Sequence, residues 1–377
     1  MNSPAFLSDI QSRKTARHHD HRHRALPTSS NPISFADNDY LFLSCHPAVI
    51  HAARQALAEY GAGARAARLL AGPCPEHQKL ESALASWKGT ERALLFASGY
   101  LTPLGVIPAL VGSGDTILME RNAHACLFDG AKLSDARLRL FSRHDLTTLK
   151  KSLDATLALK PKGKILVVVE SLHSMDGDIA PLPEIIRLKS EAGAWLLLDE
   201  AHAGGIFGEQ GAGLASELGL TSSVDLQMGT LGKSLGSSGG FIASRDTIID
   251  HLLNEARTFL FGTALPPSAA ASAQAALSIV RSAEGDQLRQ KLKQNIRQFV
   301  SSYPSPQSGP IHRIHCGSNS SAASASQHLQ ELGLNVPAIR TPTVPAGTAR
   351  LRLSLSARHT QDELAKVIHA LKNLPLS

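Results

Sequence analysis

Two periodicities alternate along the chain from about residue 47. The segments PAVIHAARQALAEYG and EHQKLESALASWKG space apolar residues three and four apart and each stops at a glycine, as amphipathic helices do. Between helix-length stretches lie short, mostly apolar runs: RALLFAS (92–98), DTILME (115–120), ARLRLFS (136–142), KILVVVES (164–171), AWLLLDEA (194–201) and VDLQMGT (224–230). Runs of this kind, regularly interleaved with helices, predict an α/β fold with a mainly parallel sheet covered by helices. After about residue 245 the pattern changes to long helices, PPSAAASAQAALSIVRS and EGDQLRQKLKQNIRQFVSSY, then a Pro/Ser/Gly stretch at 304–310. A short α+β segment follows, with strands expected at IHRIHCG and ARLRLSLS and a closing helix at TQDELAKVIHALKNL. The expected organisation is an N-terminal arm over 1–45, a large domain over 46–285 and a smaller α+β C-terminal domain over 286–377. No internal repeat interrupts it.

Composition narrows the picture. With 377 residues and 43% hydrophobic content the chain can bury large cores. The net charge of +6 comes from 19% charged residues spread along the chain, so nucleic-acid binding is not expected and attraction of anionic substrates is. The cysteines Cys45, Cys74, Cys126 and Cys316 form no C-x-x-C pair, which indicates neither a disulfide framework nor a zinc site. No apolar run approaches the roughly 18 residues of a membrane span, and a cytoplasmic location without membrane attachment is expected. The histidine-rich RHHDHRHR at 17–24 could be a metal tract. A solvated arm is the preferred reading, because no neighbouring carboxylate or cysteine cluster completes a coordination shell.

In open α/β sheets ligands sit beyond the carboxyl ends of the strands. Four such ends carry polar residues: SGY, ESLHSMDG, DEAH and GTLGK. The last contains Gly232-Lys233-Ser234, the terminus of a P-loop, but the required glycine five positions earlier is Gln227, so the phosphate cradle is missing. The alternative is a lysine that bonds covalently to an aldehyde cofactor. Pyridoxal phosphate would then need a buried carboxylate to keep its ring nitrogen protonated, and Asp199, ending WLLLD, suits that need. It would also need groups over and beside the ring, for which His124 and His202 are candidates. Its phosphate would need backbone donors at a helix start, which Ser98, Gly99 and Tyr100 could supply.

These residues sit in segments that resemble, in order, the motif series of the α-oxoamine synthases, which are fold-type I pyridoxal-phosphate enzymes. The segments are SGYLTPLGVIPALVGSGD, ERNAHACLFDGAKLS, ESLHSMDGDIAPLPEI, LLLDEAHAGGIFGEQGAG, GTLGKSLGSSGG, TALPPSAAASAQAAL and TPTVPAGTARLRLSLSARHT, and coverage runs from Asn38 to near the C-terminus. The resemblance implies condensation of an amino acid with an acyl thioester, with loss of CO₂. Within the family it points to L-alanine and a pimeloyl thioester of coenzyme A or acyl carrier protein, in biotin synthesis. Glycine or serine with another acyl-CoA is the alternative, as is an inactive regulatory homologue. The resemblance further implies that Lys233 forms the cofactor's internal aldimine, Asp199 pairs with its ring nitrogen, His124 stacks on the ring and His202 contacts its phenolic oxygen. Ser174 and Thr230 would bind the cofactor, with Gly99 and Tyr100 at its phosphate. Arg352 would hold the amino-acid carboxylate, Thr343 would line the acyl channel, and Arg22 or Arg24 would reach the acyl substrate from the arm. No metal is implied; a homodimer is. Two departures stand out. GAGARAARLLAG replaces a glycine/serine-rich loop, which removes backbone freedom and adds charge, and Pro103 stands where relatives often carry asparagine.

Overall fold

The computed structural model describes residues 4–24, 26, 33–71, 74–159 and 163–374. The chain separates into two compact units. The larger comprises Asn38–Ser174 and Asp178–Lys291; the smaller takes the residues up to Asp37, Met175–Gly177 and the chain from Leu292 onward.

The larger unit is built on seven strands: β1 Arg92–Phe96, β2 Thr116–Glu120, β3 Arg137–Phe141, β4 Ile165–Glu170, β5 Trp195–Asp199, β6 Leu226–Thr230 and β7 Gly240–Ser244. Their order across the sheet is β1-β7-β6-β5-β4-β2-β3. Every pairing is parallel except those of β7 with its neighbours β1 and β6. The mainly parallel sheet expected from the apolar runs is therefore present. β2 and β4 are buried along their whole length, which is why they read as continuous apolar runs. β7 is the strand the pattern did not signal: GGFIAS begins with two glycines, and glycine lowers strand propensity. Its reversed direction follows from a tight return after β6, since a short turn can join only antiparallel strands.

Helices close both faces. The Leu101–Leu110 and Ala125–Leu133 helices pack together, and the Pro267–Val280 helix packs on Pro47–Tyr60 and Pro75–Lys88. Gly61 and Gly89 end the last two helices, as their spacing predicted. Ile107, Leu127, Ile117, Val168 and Leu197 share one fully buried cluster, so the strand ends rest on a rigid base.

In the smaller unit an antiparallel sheet runs β9-β10-β8, with β8 Ile311–Gly317, β9 Ala338–Ile339 and β10 Ala349–Ser354. The Asn319–Glu331 helix packs against all three strands. The closing Gln361–Lys372 helix starts with a reciprocal capping box between Thr360 and Glu363. The arm contributes Ile33–Ser34, paired in parallel with Leu334–Asn335, and a helix, Pro4–His19, whose Phe6, Leu7 and Ile10 are exposed. Among the described residues no helix is long and apolar enough to cross a membrane.

Candidate active site

The carboxyl ends of β1, β2, β4, β5 and β6 lie along one edge of the sheet, because these strands are parallel. Lys233 lies in the turn between β6 and β7. The turn is tied by Leu231 N–H donating to Gly239 O at 3.0 Å and by Gly236 N–H donating to Lys233 O at 2.8 Å. Gly236 has φ +56°, and a Cβ there would fall 2.2 Å from Ser44 N, so both conformation and close approach require glycine. A strand–turn–strand setting is also not the strand–loop–helix of a P-loop.

Asp199 ends β5, buried, with its carboxylate accepting from Ala201 N–H at 2.9 Å. Burial pushes its carboxyl above the ordinary carboxylate range, while the Lys233 cation and then His124 oppose that rise. His124 follows β2 and caps the Ala125–Leu133 helix, its ring nitrogen accepting from Cys126 N–H. Burial lowers the pKa of His124; the Asp199 charge resists and the Lys233 charge reinforces the shift. Lys233, Asp199 and His124 thus act on one another electrostatically. A buried carboxylate with a raised pKa, linked to a histidine and a lysine beyond the strand ends, is the kind of arrangement found at functional sites.

Two further residues hold the histidines in place, Glu170 at His124 and Tyr40 at His202. Glu170, the last residue of β4, accepts from His124 N–H at 2.6 Å and from Ser174 N–H at 2.9 Å. Burial, with the Asp199 charge second, pushes Glu170 up to about 7. Ser174 is buried with its hydroxyl 3.4 Å from the same carboxylate. Tyr40 places its hydroxyl 2.6 Å from His202 Nδ1 and 3.1 Å from Asn38 Oδ1, which orients the His202 ring. The acid closing VVVE was a readable signal for Glu170; Tyr40 had none, being 162 residues from its partner.

At the end of β1, Ser98 Oγ accepts from Leu101 N–H at 3.1 Å and opens the Leu101–Leu110 helix. Among the described residues no protein group accepts from the Gly99 or Tyr100 amide. A helix start with open amides favours an anion. The Tyr100 side chain itself is committed to Asp129. A Cβ on Gly99 would come 2.9 Å from Thr230 Oγ1, so glycine lets the end of β6 close on this turn. Thr230 Oγ1 in turn donates to Gly239 O at 3.0 Å.

The family model for aminotransferase class I and II matches residues 30–371. The chain belongs to that family. It is 42% identical over 346 residues to the 8-amino-7-oxononanoate synthase of Methylococcus capsulatus, covering 90% of this chain and 88% of that protein. It superposes on the serine palmitoyltransferase of Sphingomonas wittichii with a TM-score of 0.90 and 31% identity, over 98% of this chain and 97% of that one. A further serine palmitoyltransferase, solved with pyridoxal phosphate joined to it, matches with a TM-score of 0.88 and 29% identity over 98% of this chain and 96% of that one. Both names are α-oxoamine synthases, so the resemblance read in the motifs is borne out.

The remaining expected site residues of this class I and II aminotransferase family member lie in the smaller unit. Arg352 is buried in β10 and donates to Ser354 Oγ at 2.9 Å. Two places along β10, Arg350 is paired with Asp176, which also meets Arg313 at 3.2 Å. Arg24 donates to Thr343 Oγ1 at 3.3 Å, which brings two of the expected substrate residues together. Arg22 instead is ion-paired with Asp20 at 2.7 Å. In the larger unit, the departure at GARAAR has a structural cost: Arg65 adopts φ +65°, a left-handed conformation that glycine takes freely. Arg68 is anchored there by two bonds to Glu81, at 2.9 and 3.1 Å.

Proposed function

We infer that the chain is a pyridoxal-phosphate-dependent acyltransferase with the activity its curated relatives are named for, 8-amino-7-oxononanoate synthase. It condenses L-alanine with a pimeloyl thioester, releasing the thiol and CO₂. The observation that carries this reading is the electrostatically linked set Lys233, Asp199 and His124 beyond the carboxyl ends of one sheet, in a chain 42% identical to such a synthase.

The residues fit the cofactor on their own chemistry. A buried carboxylate raised by desolvation is relieved by a cationic ring nitrogen, and the open Gly99 and Tyr100 amides suit a phosphate. Bound there, pyridoxal phosphate supplies an electron sink for the substrate's α-carbon. Lys233 would hold the cofactor's aldehyde, and its amine is the base that would take the proton from the substrate's α-carbon. Asp199 holds the proton on the ring nitrogen. His124 would cover one ring face; His202, oriented by Tyr40, would meet the phenolic oxygen; Ser174 and Thr230 would complete the cofactor contacts. Arg352 binds the amino-acid carboxylate through its fork of N–H donors. Thr343 and Arg24 serve the acyl substrate, Arg22 being held by Asp20. The enzyme works in the cytoplasm as a homodimer, on coenzyme A or carrier-protein thioesters.

A second reading, serine with a long-chain thioester, is favoured by the structural neighbours named serine palmitoyltransferase. Release of free thiol, measured with alanine, glycine or serine against pimeloyl- and palmitoyl-CoA, separates the two. Alanine with pimeloyl-CoA is expected to be fastest, and a preference for serine with palmitoyl-CoA would overturn the choice. In Lys233→Ala the visible absorption of lysine-bound cofactor should disappear together with turnover; a retained band would remove Lys233 from its role.

A further inference from the structure

Cys126 is buried, and its sulfur lies 2.9 Å from His124 Nδ1. The Cys126 backbone amide donates to the same nitrogen at 3.3 Å. A backbone N–H can only donate, so Nδ1 must present a lone pair, and in a neutral imidazole the proton then resides on Nε2. A thiol facing that lone pair donates as well. Burial pushes the Cys126 thiol up, so it keeps the proton it donates.

A second proton on the ring would have to enter at Nδ1, against two donors and at the positive end of the Ala125–Leu133 helix. The other groups facing His124 are Asp199 and Asp129, which favour its cation, and Lys233, which opposes it. Glu170 accepts from the His124 backbone amide, and the Tyr100 ring stands edge-on at 6.4 Å. Burial already favours the neutral ring, and the two donors of Cys126 decide which nitrogen of that neutral ring carries the proton.

We propose that Cys126 is a positioning residue which holds His124 as the neutral Nε2–H tautomer, so that the ring offers a fixed donor at Nε2 and adds no positive charge against a protonated cofactor ring. The functional part of this assignment rests on the site reading above; the tautomer itself does not.

The test uses the full-length protein labelled with ¹⁵N-histidine, with His124→Asn to identify the signal, recorded with and without pyridoxal phosphate across pH. The wild type should show Nε2–H alone. Cys126→Ser keeps a donor and should behave alike. Cys126→Ala should show mixed tautomers, a protonation midpoint raised by about half to one pH unit, and kcat lowered about tenfold with little change in the alanine KM, as expected for one hydrogen bond. An Nδ1–H signal in the wild type, or a Cys126→Ala midpoint and tautomer equal to wild type, overturns the proposal. If Cys126→Ala does not fold, the wild-type tautomer and the Cys126→Ser midpoint still decide it. Absence of thiol release beside an Nε2–H signal would remove the reaction and leave the tautomer assignment standing.

Discussion

Asp199 and Glu200 are consecutive carboxylates at the end of β5, both buried, yet they meet opposite surroundings. Glu200 is paired with the equally buried Lys88, whose ammonium also donates to Ala212 O at 2.5 Å. Its second oxygen accepts from Ala215 N–H at 3.0 Å, and Gln227 donates to the Lys88 carbonyl at 3.0 Å. These partners of Glu200 are an ammonium and a backbone amide, both donors held in place by the fold. Asp199 faces groups that themselves titrate, Lys233 and His124, and burial leaves it raised. Alternation along a strand separates the two residues onto different faces. One carboxylate is held at rest and ties the loop after β5 to the Pro75–Lys88 helix; the other is kept out of balance, as a site for an incoming cation needs.

The largest expected effect comes from breaking the resting pair. Lys88→Met leaves Glu200 buried without its cation, which should destabilise the fold by about 3–5 kcal/mol in urea unfolding. Adding Glu200→Leu should recover a good part of that loss, because an apolar pair of similar volume removes the stranded charge. If the single variant lost less than about 1 kcal/mol, the pair would not be the support described.

Asp199→Asn probes the other side. Removing a charge that burial already disfavours should leave stability unchanged or slightly higher, while turnover falls on the order of 10²–10³-fold, the scale of losing one placed electrostatic group. Thiol release and urea unfolding on the same preparation make the check. A stability loss as large as that of Lys88→Met would erase the distinction between the two carboxylates.

How much of this could be read in the residues follows from the range of the interactions. Runs such as ILVVVE announced the parallel sheet because strands buried on both faces need apolar side chains throughout. β7 escaped, its GGFIAS being led by glycines, and so did the Pro4–His19 helix, whose exposed Phe6, Leu7 and Ile10 give it no buried stripe. Lys233, Asp199 and His124 were legible as polar residues at the ends of apolar runs. The contacts that set their states were not. Glu170 reaches His124 across 46 residues and Tyr40 reaches His202 across 162, and only the folded sheet brings such partners within hydrogen-bonding distance. The short-range Cys126 contact was hidden for another reason, since a thiol two residues from a histidine has consequences only once a helix start turns both toward the same nitrogen.

Glu170 stands between the two extremes, and its titration sharpens the comparison at the smallest scale. It is buried like Glu200 and accepts two backbone amides, and the basic group beside it is the His173 ring at 4.0 Å rather than a lysine ammonium. Burial raises its folded pKa from 4.5 to about 7. A carboxyl raised on folding binds its proton more tightly in the native state, so its stabilising contribution is complete below about 4.5 and is lost as pH rises through about 7. Within that window each pH unit removes at most about 1.4 kcal/mol. Glu170→Gln cannot ionise, but it keeps one carbonyl acceptor where Glu170 uses both oxygens, so it loses one of the two amide bonds. Relative to wild type it should therefore carry a pH-independent loss of about 1 kcal/mol for that bond, while the difference moves in its favour by up to about 2 kcal/mol between pH 5 and pH 8, read from urea midpoints at each pH. A difference that stays flat across this range would mean that burial does not raise the Glu170 carboxyl.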